Sequence, residues 1–521
     1  MRRRWRICGN RRCSGPRSST RLNREPPGHV ARSGSGPAPR APPVWVGSLG
    51  CLGAFWLEPI SRRVGAKNRA PSSVVLVVHL AVVLVSSRIA STAGTAGGAA
   101  VVLGVAALLG VAGLTLSLER SASSRRKEQP TVLVIVTHPM TADLLLRGQL
   151  GFLRGRGYDV ILGSADDALL PRIRSREGIR VAALPLVREI SLLHDLSALI
   201  AIVRLVRRER PDIVIASTPK AGLLGMLGAR LAGTRQRVFL LRGLRSETLR
   251  GVRGAFQRCT ERATIRLSTR VVAVSPSLAD RAREIGVVRG EEVRVLGGGS
   301  SNGVDTERFR FDAHARARLR SELELPAEAR VIGFVGRLTA DKGLQDLLAA
   351  FEVIRKECDD AVLVLVGARE DGDPLSPDVI RRIEGNEAVH HVRWVADTSP
   401  WYSAFDVLAF PSFREGLPNV PLEAGSCERP VVGYAATGTV DVVQSGCTGA
   451  LVALGDTQQL GESLRQYLDD PGLAGQHGLA ARQLIQERFD QRRVWDEWAA
   501  YLSELAAGAQ QPRTTDGMAG S

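Results

Sequence analysis

From residue 131 to about residue 507, short β-branched runs alternate with stretches of helical period, and this alternation constrains the fold more than any other feature. Runs at 132–136, 159–163, 213–216, 238–241 and 271–274 read as strands, and 142–156 reads as a helix. A second series opens at 331. Its strands are expected at 331–335, 361–366, 391–395, 407–410, 430–434 and 450–452, with helices such as 344–357 and 418–427 between them. A βαβα order gives a parallel sheet covered on both faces. Two consecutive series therefore predict an α/β chain of two doubly wound, Rossmann-like domains, at 130–310 and 311–507. Helical stretches at 471–489 and 491–507 have no following strand and are assigned to the second domain. Residues 508–521 read as a disordered tail. The join lies near 296–311, a stretch that contains Gly297, Gly298, Gly299 and Gly303. Ligands of such sheets bind outside the carboxyl ends of the strands, so the natural site is the cleft between the domains.

The net charge of +17 invites a nucleic-acid reading, but its distribution argues against one. Residues 1–129 hold 20 Lys/Arg and 4 Asp/Glu, a net of +16. The other 392 residues hold 50 basic and 49 acidic side chains, a net of +1. Residues 1–70, rich in Arg, Pro, Gly and Ser, have a disordered composition. Two apolar runs follow in 71–129. The run at 74–85 is interrupted by Ser86, Ser87 and Arg88, and the run at 96–118 has roughly the ~20 apolar residues of a membrane span. Basic residues on both outer flanks favour a hairpin with both ends in the cytoplasm. A weak interfacial segment is the alternative. The seven cysteines show no C-x-x-C and no zinc spacing, and read as reduced thiols.

Two stretches carry chemistry. In Gly336-Arg337-Leu338-Thr339-Ala340-Asp341-Lys342-Gly343 a buried strand ends in Gly-Arg, and Lys-Gly then opens a helix. Gly336 and Gly343 let backbone approach a ligand, and the helix start offers free amides and a positive dipole end. Arg337 can hold phosphate oxygens bidentately, and Lys342 adds a compact charge. The second stretch is Ser412-Phe413-Arg414-Glu415-Gly416-Leu417-Pro418-Asn419-Val420-Pro421-Leu422-Glu423. Pro418 suits a helix's first turn. Glu415 then lies at a strand's carboxyl end, Glu423 lies within the helix, and both can accept hydrogen bonds from sugar hydroxyls.

Together, Gly336-Arg337-x4-Lys342-Gly343 and Glu415-x7-Glu423 resemble the donor site of glycosyltransferase family 4, whose fold is GT-B. The resemblance continues through Gly438-Thr439 and Gly446-x2-Gly449, and covers about residues 130–507. In the first half, Thr218-Pro219-Lys220-Ala221-Gly222, Val274-Ser275-Pro276-Ser277 and Gly299-Ser300-Ser301-Asn302-Gly303 are similar to the capsule, exopolysaccharide and O-antigen branch. The resemblance implies a retaining transfer from a nucleotide sugar, by default a UDP-sugar, to a lipid-linked or growing polysaccharide acceptor. It implies that Arg337 and Lys342 neutralise the departing diphosphate and that Glu415 contacts the donor sugar. Glu423 binds the ribose, and backbone around Gly416, Leu417, Pro418 and Asn419 assists. No cofactor and no metal are expected. The expected partners are the donor, the acceptor and a membrane surface, with no nucleic acid. The expected location is the cytoplasmic face of the inner membrane, with 74–118 as an anchor.

The chain also departs from the family pattern. A Gly-rich loop usual after the first strand is replaced by Thr137-His138-Pro139-Met140, and a usual histidine is replaced by Arg242-Gly243. His138, Lys220 and Arg242 stand at expected strand ends and are candidates for the acceptor side. A non-catalytic sugar-nucleotide-binding subunit of a polysaccharide assembly is the alternative these departures leave open.

Overall fold

The computed structural model describes residues 129–189, 191–249, 251–288, 293–370 and 374–510. The basic stretch and the apolar runs at 74–118 lie outside the described residues. Among the described residues, no helix is long and apolar enough to cross a membrane.

The first series forms a seven-stranded sheet of β1 (Thr131–Ile135), β2 (Asp159–Ala165), β3 (Arg180–Leu184), β4 (Ile213–Ser217), β5 (Gln236–Leu241), β6 (Arg270–Ala273) and β7 (Val293–Val295). Its order is β3-β2-β1-β4-β5-β6-β7, parallel throughout. The second sheet has six strands: β8 (Arg330–Val335), β9 (Ala361–Val366), β10 (Val389–Val392), β11 (Val407–Phe410), β12 (Val431–Tyr434) and β13 (Gly449–Val452). Its order is β10-β9-β8-β11-β12-β13, again parallel. Strands β1, β4, β9 and β11 are buried along their whole length, as a sheet covered on both faces requires. Strand order reverses between β1 and β4, and again between β8 and β11. In open α/β sheets, such switch points are where ligands bind.

Several expectations are corrected. Strands β3 and β7 carried no strong apolar run: β3 is half exposed and β7 is three residues long. Strand β10 starts two residues before the expected 391, because Val389 enters the core while Trp394 is 74% exposed. The expected helix 142–156 is two helices, Pro139–Leu145 and Gln149–Gly155. Gly148 breaks it with φ +80°, in a position where a Cβ would lie 2.5 Å from the Trp495 ring. The buried Glu177 carboxylate then receives the Gly148 and Gly151 amides, both at 3.0 Å, at the start of the second helix.

The last helix belongs elsewhere than expected. It runs Gln491–Gln510, so 508–510 continue the helix and are no tail. Its Val494, Trp498, Tyr501, Leu502 and Leu505 pack into the core of the first domain. The helix before it, Pro471–Arg488, packs on the second domain through Ile485. The chain thus crosses between domains twice, and the crossings are bonded to each other. The Val304 amide donates to the Phe489 carbonyl at 2.8 Å, and the Gln491 amide to the Val304 carbonyl at 2.9 Å.

Candidate functional site

The switch point of the second sheet gathers the first motif and the second. After β8, Gly336 and Arg337 lead into a short 3-10 turn, Ala340–Lys342, and then the helix Leu344–Glu357. Gly343 has φ +70°, and a Cβ there would lie 2.1 Å from the Pro411 carbonyl oxygen. Only glycine lets this helix start against the loop that follows β11. The Lys342 Nζ donates to Glu415 Oε1 at 2.5 Å, and Ser412 Oγ donates to the same oxygen at 2.7 Å. Both charged side chains are 15% exposed. Arg337 is more open, and its guanidinium is paired with Glu370. Glu370 also accepts from Arg188 Nη2 of the first domain at 3.0 Å. Burial alone would raise the Glu370 carboxyl, but the two arginines outweigh it and hold the group below the usual carboxylate range.

The helix Asn419–Ser426 starts directly after Pro418, which sits one place before the first turn rather than within it, at φ −77° and ψ 127°. No side chain caps this helix. Its leading amides therefore have no side-chain acceptor, as an anion or sugar-oxygen site requires. Within the helix, Glu423 accepts from the Tyr402 hydroxyl at 2.5 Å. Burial pushes Glu423 up to about 7, against the opposing effects of Tyr402 and Arg308.

The loop between Glu415 and this helix touches the other domain. A Cβ on Gly416 would lie 1.9 Å from the Arg242 carbonyl oxygen. Ser275 Oγ, which caps the helix Pro276–Glu284, donates to the Gly416 carbonyl at 2.7 Å. Leu417 packs against the cores of both domains. Beside it the Gly438 amide donates to Ser277 Oγ at 2.7 Å, Ser277 is bonded to Asp441, and Thr437 Oγ1 donates to Glu247 at 2.7 Å.

At the switch point of the first sheet, the Thr137 and Thr218 hydroxyls are 2.7 Å apart. Thr218 holds φ +73°, a strained conformation for a β-branched residue. His138 is nearly half exposed and caps the helix Pro139–Leu145, its Nδ1 accepting from the Met140 amide at 3.2 Å. Lys220 is paired with Asp195 at 2.7 Å and also bonds the Glu189 carbonyl. Arg242 donates from Nη1 to Ser301 Oγ at 2.5 Å. Its Nε and Nη2 are sealed from solvent without a partner, although the residue as a whole is only partly covered. Burial lowers this guanidinium to about 10.

The structure thus brings Lys342, Glu415 and Ser412 into one cluster and sets Arg242 against Gly416. It holds Arg337 through Glu370, and leaves His138 and Lys220 engaged within the first domain. Sequence reasoning missed Glu370, Arg188 and Tyr402, which lie outside the motifs. Ser412 stood inside a quoted motif and carried a usable signal. Among the described residues, no group of three or more His, Cys, Asp or Glu side chains could hold a metal ion.

Comparison with known proteins shows the family and the fold. Residues 329–470 match the family described as glycosyl transferases group 1, and residues 146–299 match the glycosyl transferase 4-like domain. The chain is 31% identical over 354 residues to the capsular polysaccharide biosynthesis glycosyltransferase CapM of Staphylococcus aureus, covering 68% of this chain and 92% of that one. It is 28% identical over 302 residues to the UDP-Gal:alpha-D-GlcNAc-diphosphoundecaprenol alpha-1,3-galactosyltransferase of Escherichia coli, covering 56% and 76%. Among solved structures, Anabaena HepE in complex with UDP and glucose superposes with a TM-score of 0.61 at 22% identity, covering 72% of this chain and 100% of that one, a likeness of fold. With two parallel-sheet domains meeting over Gly416, and with a relative of this identity matched over nearly its whole length, the chain belongs to glycosyltransferase family 4 and is a GT-B glycosyltransferase.

Proposed function

We propose that this enzyme moves a sugar, with retention of anomeric configuration, from a nucleotide sugar to a lipid-linked or growing polysaccharide acceptor in cell-surface polysaccharide biosynthesis. The observation that carries the reading is the Lys342–Glu415 pair at the β8/β11 switch point, 2.5 Å across, beside an uncapped helix start. A lysine already sheltered from water and neutralised by one carboxylate can transfer its charge to a phosphate without further desolvation. In this reading Lys342 and Arg337 meet the departing diphosphate, and Glu415, released from Lys342, accepts from donor-sugar hydroxyls. Backbone at Gly336, Gly343, Gly416, Leu417, Pro418 and Asn419 lets the donor approach, and Glu423 accepts from the ribose. The anomeric carbon–oxygen bond breaks with its electron pair going to the diphosphate. The acceptor oxygen bonds to that carbon, and its proton passes to a phosphate oxygen.

On the acceptor side, Arg242 has two unpartnered nitrogens, Nε and Nη2, and is the first candidate to meet an acceptor diphosphate. His138 and Lys220 remain candidates at the rim. The CapM relative supports a polysaccharide product, and the galactosyltransferase relative supports a diphosphate lipid acceptor. UDP as the nucleotide is supported by that relative's donor, and the cytoplasmic membrane face is proposed as the site of action, with that relative's lipid acceptor in its support. The reaction is proposed to run without a metal, its leaving-group charge met by Arg337 and Lys342. EDTA should leave turnover unchanged, and loss that magnesium restores would remove this part of the reading.

The test is the full chain with a UDP-sugar panel and membrane lipid extract, the product's anomeric configuration being read by NMR. Sugar found on the lipid fraction in the donor's own configuration supports the reading. Inversion would overturn the retaining assignment, and transfer confined to water-soluble acceptors would overturn the lipid-linked one.

A further inference from the structure

At the amino ends of β6 and β7 the first domain holds a cavity of about 650 Å³. Its lining includes Ile265 and Arg266 from the end of the helix Gly251–Leu267, Arg270 and Val271 from β6, Arg294 from β7 and Tyr501 from the last helix. Arg294 is stacked on the Tyr501 ring, 4.9 Å from its centroid, and donates to Glu504 at 2.8 Å. Arg270 donates to the Thr269 carbonyl at 2.8 Å. Among the described residues neither Arg266 nor Arg270 is paired with a carboxylate, so the cavity carries two uncompensated cations. Tyr501 is 3% exposed, and its hydroxyl is sealed from solvent without a hydrogen-bond partner. Burial raises the Tyr501 phenol above its ordinary range, against the pull of Arg270 and Arg294, so it stays a neutral donor. A buried hydroxyl left without a partner is costly, and a ligand oxygen would satisfy it.

We propose that this cavity is a second binding site, for a soluble phosphate-bearing small molecule of sugar-phosphate or nucleotide size, separate from the donor cleft. The volume is that of a small-molecule pocket rather than of a bare ion. Arg266 and Arg270 meet the phosphate, the Tyr501 hydroxyl donates to the ligand, and Ile265 and Val271 flank its remainder. The adjoining cavity of about 260 Å³ shares Arg294 and Tyr501 but is lined by Glu497 and Glu504, which confines an anion to the basic side. Strand β6 begins at Arg270 and leads to Ser275, which bonds Gly416 at the cleft. The cavity is thus at the far end of that strand, on the order of 15 Å from the cleft contact. Its occupant touches both β6 and the last helix, so binding fastens that helix to the first domain.

The full chain is titrated calorimetrically with pyrophosphate, with UDP in excess to occupy the donor cleft, and hydrogen exchange is followed in the same samples. The expected result is binding that adds protection in residues 266–271 and 494–505. Arg266→Gln and Arg270→Gln should each weaken it about tenfold, and Tyr501→Phe, which keeps the ring in the core, about fivefold. Lys342→Ala should leave it unchanged. Binding undiminished in both arginine variants overturns the proposal and assigns the anion to other basic stretches of the chain. Loss in Lys342→Ala overturns it as well, because pyrophosphate then sits in the donor cleft. Glucose 1-phosphate should displace pyrophosphate, and phosphatidylglycerol vesicles should not. The reverse outcome overturns the soluble ligand and gives the site to a lipid headgroup.

Discussion

Glu423 illustrates how a residue's chemistry depends on partners that its motif does not name. Burial raises its carboxyl from the ordinary range to about 7. A group raised on folding stabilises the protein fully below its unfolded value, and that contribution is lost as pH rises through about 7. The thermal midpoint should therefore fall between about pH 5 and about pH 8, and Glu423→Gln should flatten that part of the profile. If the ionised carboxylate accepts from the donor's ribose, the donor KM should fall across the same window in the wild type and be flat in Glu423→Gln. A KM indifferent to pH in the wild type would remove the ribose assignment. For Arg337→Ala, turnover should drop by roughly 10²–10³, the usual loss of one charge-stabilising donor. An unchanged rate would leave Arg337 as the surface partner of Glu370 and nothing more. Arg337, Lys342, Glu415 and Glu423 were legible because each sits at a fixed offset from a strand end or helix start. Tyr402 and Glu370 were not, because their partnerships join distant segments that only the folded sheet brings together.

At the scale of elements, the strands buried on both faces were legible, since a run such as Ala361–Val366 has no polar alternative. Edge strands β3 and β7 were not, because an edge strand does not require continuous apolar residues. The break at Gly148 depended on Trp495 from the far end of the chain, and no local pattern contained that information. Gly416 tests the loop between Glu415 and its helix. Gly416→Ala places a methyl group against the Arg242 carbonyl of the other domain, so the contact between loop and domain must shift. Turnover should fall at least about tenfold, with the circular dichroism spectrum unchanged and a larger radius of gyration in solution scattering. Wild-type turnover in Gly416→Ala would show that this contact is not needed for the reaction.

The whole molecule is organised by its two chain crossings. They explain why the last helix could not be placed by its sequence: amphipathic period shows that a helix is buried, but not on which domain. Trp498 gives a direct check, because it is 3% exposed within the first domain's core. Trp498→Ala should destabilise the protein by about 3–5 kcal/mol in denaturant unfolding, with the loss confined to the transition of the first domain. Loss confined to the second domain's transition would contradict the packing described. The central claim is that the cleft over the β8/β11 switch point transfers sugar from a nucleotide donor. It is tested most directly by measuring nucleoside diphosphate release from a nucleotide-sugar panel by the full chain and by Lys342→Ala, with membrane lipid extract as acceptor. Release from one donor by the wild type is expected, with a rate roughly 10²–10³ lower in the variant. Equal rates in the two proteins, or wild-type binding of donors without any release, would contradict it.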